Sequence, residues 1–107
     1  MLKKVICLSL LTVAIGSTVT NAASFNGSKG IYTNKGYVSA YTGAYAQSKA
    51  TAKVVTQYDS AYAEDGALGD YRSSLWAQTR EIKGTSGTHS HKVYDQSGGY
   101  IYDETNF

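Results

Sequence analysis

Strict alternation of side-chain type dominates the middle of the chain. Over residues 37–46, Tyr37, Ser39, Tyr41, Gly43 and Tyr45 fall on one side of an extended strand; Val38, Ala40, Thr42, Ala44 and Ala46 fall on the other. The spacing of Tyr37, Tyr41 and Tyr45 also suits a helix, but the β propensity of Tyr, Val and Thr, with Gly43 in the middle, favours a strand. Small residues on one face predict close approach of another layer. Residues 50–58 alternate again, with Ala50, Ala52, Val54, Thr56 and Tyr58 opposite Thr51, Lys53, Val55 and Gln57. Gln47-Ser48-Lys49 is the expected turn between them, which would make a hairpin. Glu64-Asp65-Gly66 and Leu68-Gly69-Asp70 read as turns. Residues 71–83 fit either period: Leu75, Ala77 and Thr79 alternate, while Tyr71, Leu75 and Ile82 share a helical face. Strand is preferred there.

Gly84-Thr85-Ser86-Gly87 is another turn, and Gln96-Ser97-Gly98-Gly99 between residues 88–95 and 100–104 signals a second hairpin. Residues 23–34, rich in Gly, Ser and Asn, suit a flexible N-terminal arm with a short strand at 31–33. Short strands at this spacing predict an all-β domain over residues 35–107, a small antiparallel β-sandwich or small barrel.

The chain starts differently. Lys3 and Lys4 precede a mostly apolar run of twelve residues, Val5 to Gly16, and a polar stretch ending in Asn21-Ala22-Ala23. That is the layout of a secretory signal peptide spanning residues 1–22. Twelve residues are too few for a bilayer core, which takes about twenty. No stable membrane span is expected, and the product is expected to be secreted. Cys7, the only cysteine, lies inside the leader, so core packing and backbone pairing alone must hold the mature fold.

Removing the leader changes the charge. The whole chain has ten basic and eight acidic residues; without Lys3 and Lys4 the two are equal, and no nucleic-acid footprint is left. Lys29, Lys35, Lys49 and Lys53 follow one another with no acid between them, and a lysine face of this kind would suit an anionic partner. The mature chain of 85 residues has few large aliphatics. Its ten tyrosines, Trp76 and two phenylalanines are therefore expected to supply much of the buried area.

Candidate chemistry is sparse. His89 and His91 share a strand face about 7 Å apart, a partial metal site at most. No third ligand stands out, and exposed histidines on a polar strand face are the simpler expectation; neither metal nor cofactor is assigned. No serine sits in a nucleophile elbow, and the carboxylate pairs Glu64-Asp65 and Asp103-Glu104 fall in turn or terminal sequence. An enzyme is not expected. Rows of tyrosine can line sugar sites, since the ring is apolar and the hydroxyl wet, though cross-strand packing of Tyr41 with Tyr45 and of Tyr100 with Tyr102 is preferred.

Gly36-Tyr37-Val38-Ser39-Ala40-Tyr41, then Tyr45 and the run from Ser48 to Val55, resembles the first half of lactococcin-972-type bacteriocins. Leu75-Trp76-Ala77-Gln78-Thr79, Gly84-Thr85 and Tyr94 are similar to their second half. The resemblance spans residues 36–94. It differs in lacking the early tryptophan and glycine, in having Lys49-Ala50 where the family has His-Ser, and in extending past the typical end. It implies a β-sandwich and a secreted bacteriocin that inhibits related Gram-positive bacteria by binding the cell-wall precursor lipid II. Tyr37, Tyr41, Tyr45, Lys49 and Lys53 are the candidate ligand-binding residues. A non-toxic extracellular or wall-associated module is the alternative.

Mass spectrometry of culture supernatant should find a chain beginning at Ala23 or Ser24; an intact Met1 species in the membrane fraction would remove the leader.

Overall fold

In the computed structural model, which describes residues 22–107, alternation becomes eight antiparallel strands in two sheets packed face to face, with no closure into a barrel. The expected leader lies outside the described residues except for Ala22. The first sheet holds β1 (Lys29–Asn34), β2 (Tyr37–Gln47) and β5 (Arg72–Gln78) in that order, with the short β6 (Ile82–Lys83) also pairing with β2. The second orders β4 (Ser60–Gly66), β3 (Lys49–Thr56), β7 (Gly87–Tyr94) and β8 (Tyr100–Asn106) as β4-β3-β7-β8.

β1 and β2 form a hairpin closed by Lys35 and Gly36, both at positive φ (51° and 86°), as a two-residue turn of matching twist requires. Here the supposed arm is half strand: β1 doubles the three residues expected at 31–33. β7 and β8 form the predicted hairpin. Its turn is organised by Asp95, whose Oδ1 accepts hydrogen bonds from the Ser97 amide and hydroxyl and from the Gly99 amide at 2.7–2.9 Å.

The expected hairpin of residues 37–46 with 50–58 does not form. β2 and β3 lie in different sheets, and the chain crosses between them at 46–48. Ala46 adopts a positive φ of 56°, and the buried Ser48 anchors the crossing: its amide donates to the Tyr94 carbonyl and its hydroxyl to the Ala67 carbonyl. Gly66, at φ 90°, lies against this corner, where a Cβ would run into the Ser48 carbonyl. The physical reason is burial. A flat hairpin would leave both small-residue faces side by side and needing a third surface; folding the chain over buries them against each other.

The resulting core is Val38, Ala40, Ala44, Ala50, Ala52, Val54, Ala61, Leu75, Ala77, Ile82 and Val93. It contains no aromatic ring, and eight of the ten tyrosines are exposed. The expectation of a core supplied largely by aromatics is overturned: six of eleven core positions are alanine, the tyrosines and Trp76 are not among them, and Phe25 and Phe107 pack against the core from partly buried positions. Residues 71–83 are strand, as preferred, but interrupted. Thr79 bridges the gap between β5 and β6, its amide donating to the Ala40 carbonyl at 2.9 Å and its hydroxyl accepting from the Ala40 amide at 3.0 Å. Glu64-Asp65-Gly66 ends β4 instead of forming a turn; the turn follows at Ala67, whose carbonyl accepts from Asp70.

Ala52→Leu, which forces three more carbons into this interface, should cost about 1–3 kcal/mol, read as a lower urea midpoint at unchanged slope; a neutral result would mean the sheets are loosely packed.

Candidate functional site

Since β2 turns Val38, Ala40, Thr42 and Ala44 inward, Ser39, Tyr41, Gly43 and Tyr45 face out. Across the ladder, Gly30 of β1 stands opposite Tyr41, and Trp76 of β5 stands opposite Gly43. These two glycines let large rings lie down on the sheet. A Cβ on Gly43 would sit 2.9 Å from Trp76 Cε3, and one on Gly30 would sit 3.1 Å from the Tyr41 hydroxyl. Tyr32, Tyr41 and Trp76 consequently stack in a row across three strands, with centroids 4.5 and 5.0 Å apart and planes within 21° and 14° of parallel. Tyr32 is 48% and Trp76 44% exposed. Trp76 Nε1 donates to Gln78 Oε1 at 3.0 Å, which holds the indole in its tilt.

Beside the stack an open groove of about 430 Å³ runs between Trp76, Gly43, Tyr45 and the segment Gly27-Ser28. That segment is tied down by backbone and amide contacts. The Gly43 amide donates to the Ser28 carbonyl at 2.6 Å, and the Asn26 side chain both donates to the Tyr45 carbonyl and accepts from the Tyr45 amide. Asp65 and Arg72 form the polar end. Asp65 accepts from the Trp76 amide at 2.9 Å and from both Arg72 terminal nitrogens at 3.3 and 3.4 Å. The Trp76 amide, then the Arg72 guanidinium, hold its carboxyl below the usual aspartate range against the opposing effect of burial. An aromatic wall next to a fixed carboxylate and guanidinium offers stacking and directional hydrogen bonds to a ligand with flat apolar faces and many hydroxyls.

The residues singled out from the sequence divide between two surfaces. Tyr41 is the middle ring of the stack, Tyr45 lines the groove, and Tyr37 lies exposed further along the same face. Lys49 and Lys53 belong to β3 and face outward on the other sheet, because the chain changes sheets between Tyr45 and Lys49. They do not share a site with the tyrosines. The acid-free run of lysines is also not acid-free in space: Lys29 pairs with Asp103 at 2.8 Å and Lys49 with Glu64 at 3.2 Å. Tyr32, Trp76, Asp65 and Arg72 complete the site and were not anticipated. Gly43, a lone glycine inside a strand pattern, was the available signal.

The expectation that His89 and His91 are exposed on a polar face is likewise overturned. Both turn toward the opposite sheet; His91 is fully buried and His89 half-buried. His91 is pushed down to about 4, mainly by burial and then by the neighbouring His89, whose own value is lowered by burial. Among the described residues no three or more His, Cys, Asp or Glu side chains gather in a way that could hold a metal ion.

No family model, curated protein or solved structure matches this chain.

With the indole lying on the surface, Trp76→Ala should cost roughly 1–2 kcal/mol, the scale of its aromatic contacts, well below the about 3–5 kcal/mol for removing a buried ring. Chemical denaturation checks this, and a loss in the higher range would place Trp76 in the core.

Proposed function

We propose that this is a secreted bacteriocin-like protein that captures the sugar-bearing cell-wall precursor lipid II of related Gram-positive bacteria on the outer face of its first sheet. The observation that carries the proposal is the Tyr32–Tyr41–Trp76 stack, a flat exposed row of rings beside a groove ending in the Asp65–Arg72 pair. Rings of this kind pack against the C–H faces of pyranoses, while carboxylate and guanidinium take their hydroxyls. The leader pattern and the resemblance of residues 36–94 to lactococcin-972-type sequences support secretion and an antibacterial role. Binding rather than turnover is the role proposed for the groove.

One observation favours the non-toxic alternative, a wall-associated module that recognises glycan alone. Lys49 and Lys53, expected to meet the precursor's anionic part, stand on the opposite sheet from the sugar platform.

Purified protein should bind lipid II and retard indicator strains, with added lipid II relieving the effect. Trp76→Ala and Tyr32→Ala should each weaken binding by about tenfold or more, the loss expected of an anchoring aromatic. The double change Lys49→Gln/Lys53→Gln should leave binding to soluble glycan fragments unchanged. Glycan binding without inhibition would establish the module reading, and absence of both would remove the proposal.

A further inference from the structure

Behind the platform, a chain of hydrogen bonds runs through the interior and joins the two sheets. The Thr42 hydroxyl of β2 lies 2.7 Å from the Thr51 carbonyl of β3 and 2.7 Å from His91 Nδ1 of β7. His91 Nε2 in turn lies 2.7 Å from His89 Nδ1. A carbonyl oxygen only accepts, and this fixes the direction of the whole chain. Thr42 must donate to Thr51, so its oxygen accepts from His91 Nδ1–H. His91 Nε2 is then bare and accepts from His89 Nδ1–H. His91 is thus neutral with its proton on Nδ1, His89 donates through its own Nδ1–H, and the buried polar atoms of this hydrogen-bond relay are satisfied.

We propose that this buried histidine pair is a pH-sensitive device in the fold, stable while His91 is neutral and weakened when both histidines carry an added proton. The first proton fits at His89 Nε2, which the relay does not use, and leaves all its bonds intact. A second must go to His91 Nε2, where it meets His89 Nδ1–H donor against donor, inside an interface lined by Ala40, Ala52 and Val93. The charged groups facing the pair are Asp103 of β8, the cross-strand neighbour of His91, and Lys29 of β1, bonded to Asp103 at 2.8 Å. Asp103 favours a proton on the pair and Lys29 opposes it; Phe107 covers His89 from the C-terminus, its ring centroid 5.8 Å away. Thr42 stands between Tyr41 and Gly43, so the pair lies directly behind the strand on which the ring stack rests.

The sign of the pH dependence follows from the lowered histidine values. Unfolded histidines bind protons near pH 6.5, whereas folded His91 does so only near 4. Stability is full above 6.5 and falls as pH drops toward 4, the folded-to-unfolded ratio decreasing by about tenfold per pH unit for His91 alone. Asp59, Glu64, Asp65 and Asp103 are held below their ordinary values of 3.8 or 4.5, so their contributions are lost only at lower pH. The interval from 4.5 to 6.5 therefore isolates the histidines.

The pH response does not depend on what the platform binds, and its test needs no ligand. In 15N-labelled wild-type protein at pH 7, imidazole resonances should show Nδ1–H and bare Nε2 for both residues, with His89 titrating before His91. His91 protonated on Nε2, or titrating near 6.5, would overturn the proposal without any variant having to fold. Denaturant unfolding between pH 4.5 and 7.5 should show the predicted loss, and His89→Gln/His91→Phe should abolish it. A wild-type ratio that stays constant across that range would equally overturn it.

Discussion

On one sheet Ala40, Ala44 and Ala77, and on the other Ala50, Ala52 and Ala61, carry only methyl groups into the interface between the layers. Most of what is particular to this protein follows from that narrow interface. Val38, Val54, Leu75, Ile82 and Val93 fill most of the remaining volume, and the imidazole of His91 is buried with them. The tyrosines are displaced to the two outer surfaces, where cross-strand neighbours arrange them in rows. Lys92 on the second sheet lies 4.5 Å from the Tyr100 ring centroid and within 6 Å of those of Tyr94 and Tyr102. On the first sheet glycines opposite Tyr41 and Trp76 allow three rings to stack flat. The chain therefore buries its small residues and exposes its large ones, the reverse of the usual arrangement.

Much of this was legible in alternation alone. The strand character of residues 37–46 and 50–58, the hairpin at Gln96–Gly99 and the all-β class follow from period two and turn residues, which depend on local backbone geometry. What alternation cannot fix is which side of a strand meets which partner. The crossing at 46–48 turns on the positive φ of Ala46 and on long-range bonds from Ser48 to Tyr94 and Ala67, none of which leaves a local mark. The missed crossing produced the misplacement of Lys49 and Lys53 beside the tyrosines. β4 was hidden because Glu64-Asp65-Gly66 has turn composition, yet its Asp65 is held in place by the Trp76 amide and Arg72.

His89-Ser90-His91 shows the same limit. The spacing correctly puts both imidazoles on one face, but whether that face is wet or dry depends on β2 lying over it. In the folded chain His91 is buried there and bridges the sheets through Thr42, with the half-buried His89 bonded to it along the same strand. One strand, β2, thus joins the two features with functional meaning: its inward Thr42 closes the relay, and its outward Tyr41 and Gly43 carry the platform.

The central claim is that Trp76 and most of the tyrosines lie outside an interface built largely of small residues. Trp76 is the only tryptophan, so acrylamide quenching of its fluorescence in the native protein tests that claim directly. Emission near that of indole in water, with quenching little changed on unfolding, is the result expected of a surface platform. Blue-shifted emission that resists quenching until the protein unfolds would place the ring inside and contradict the account.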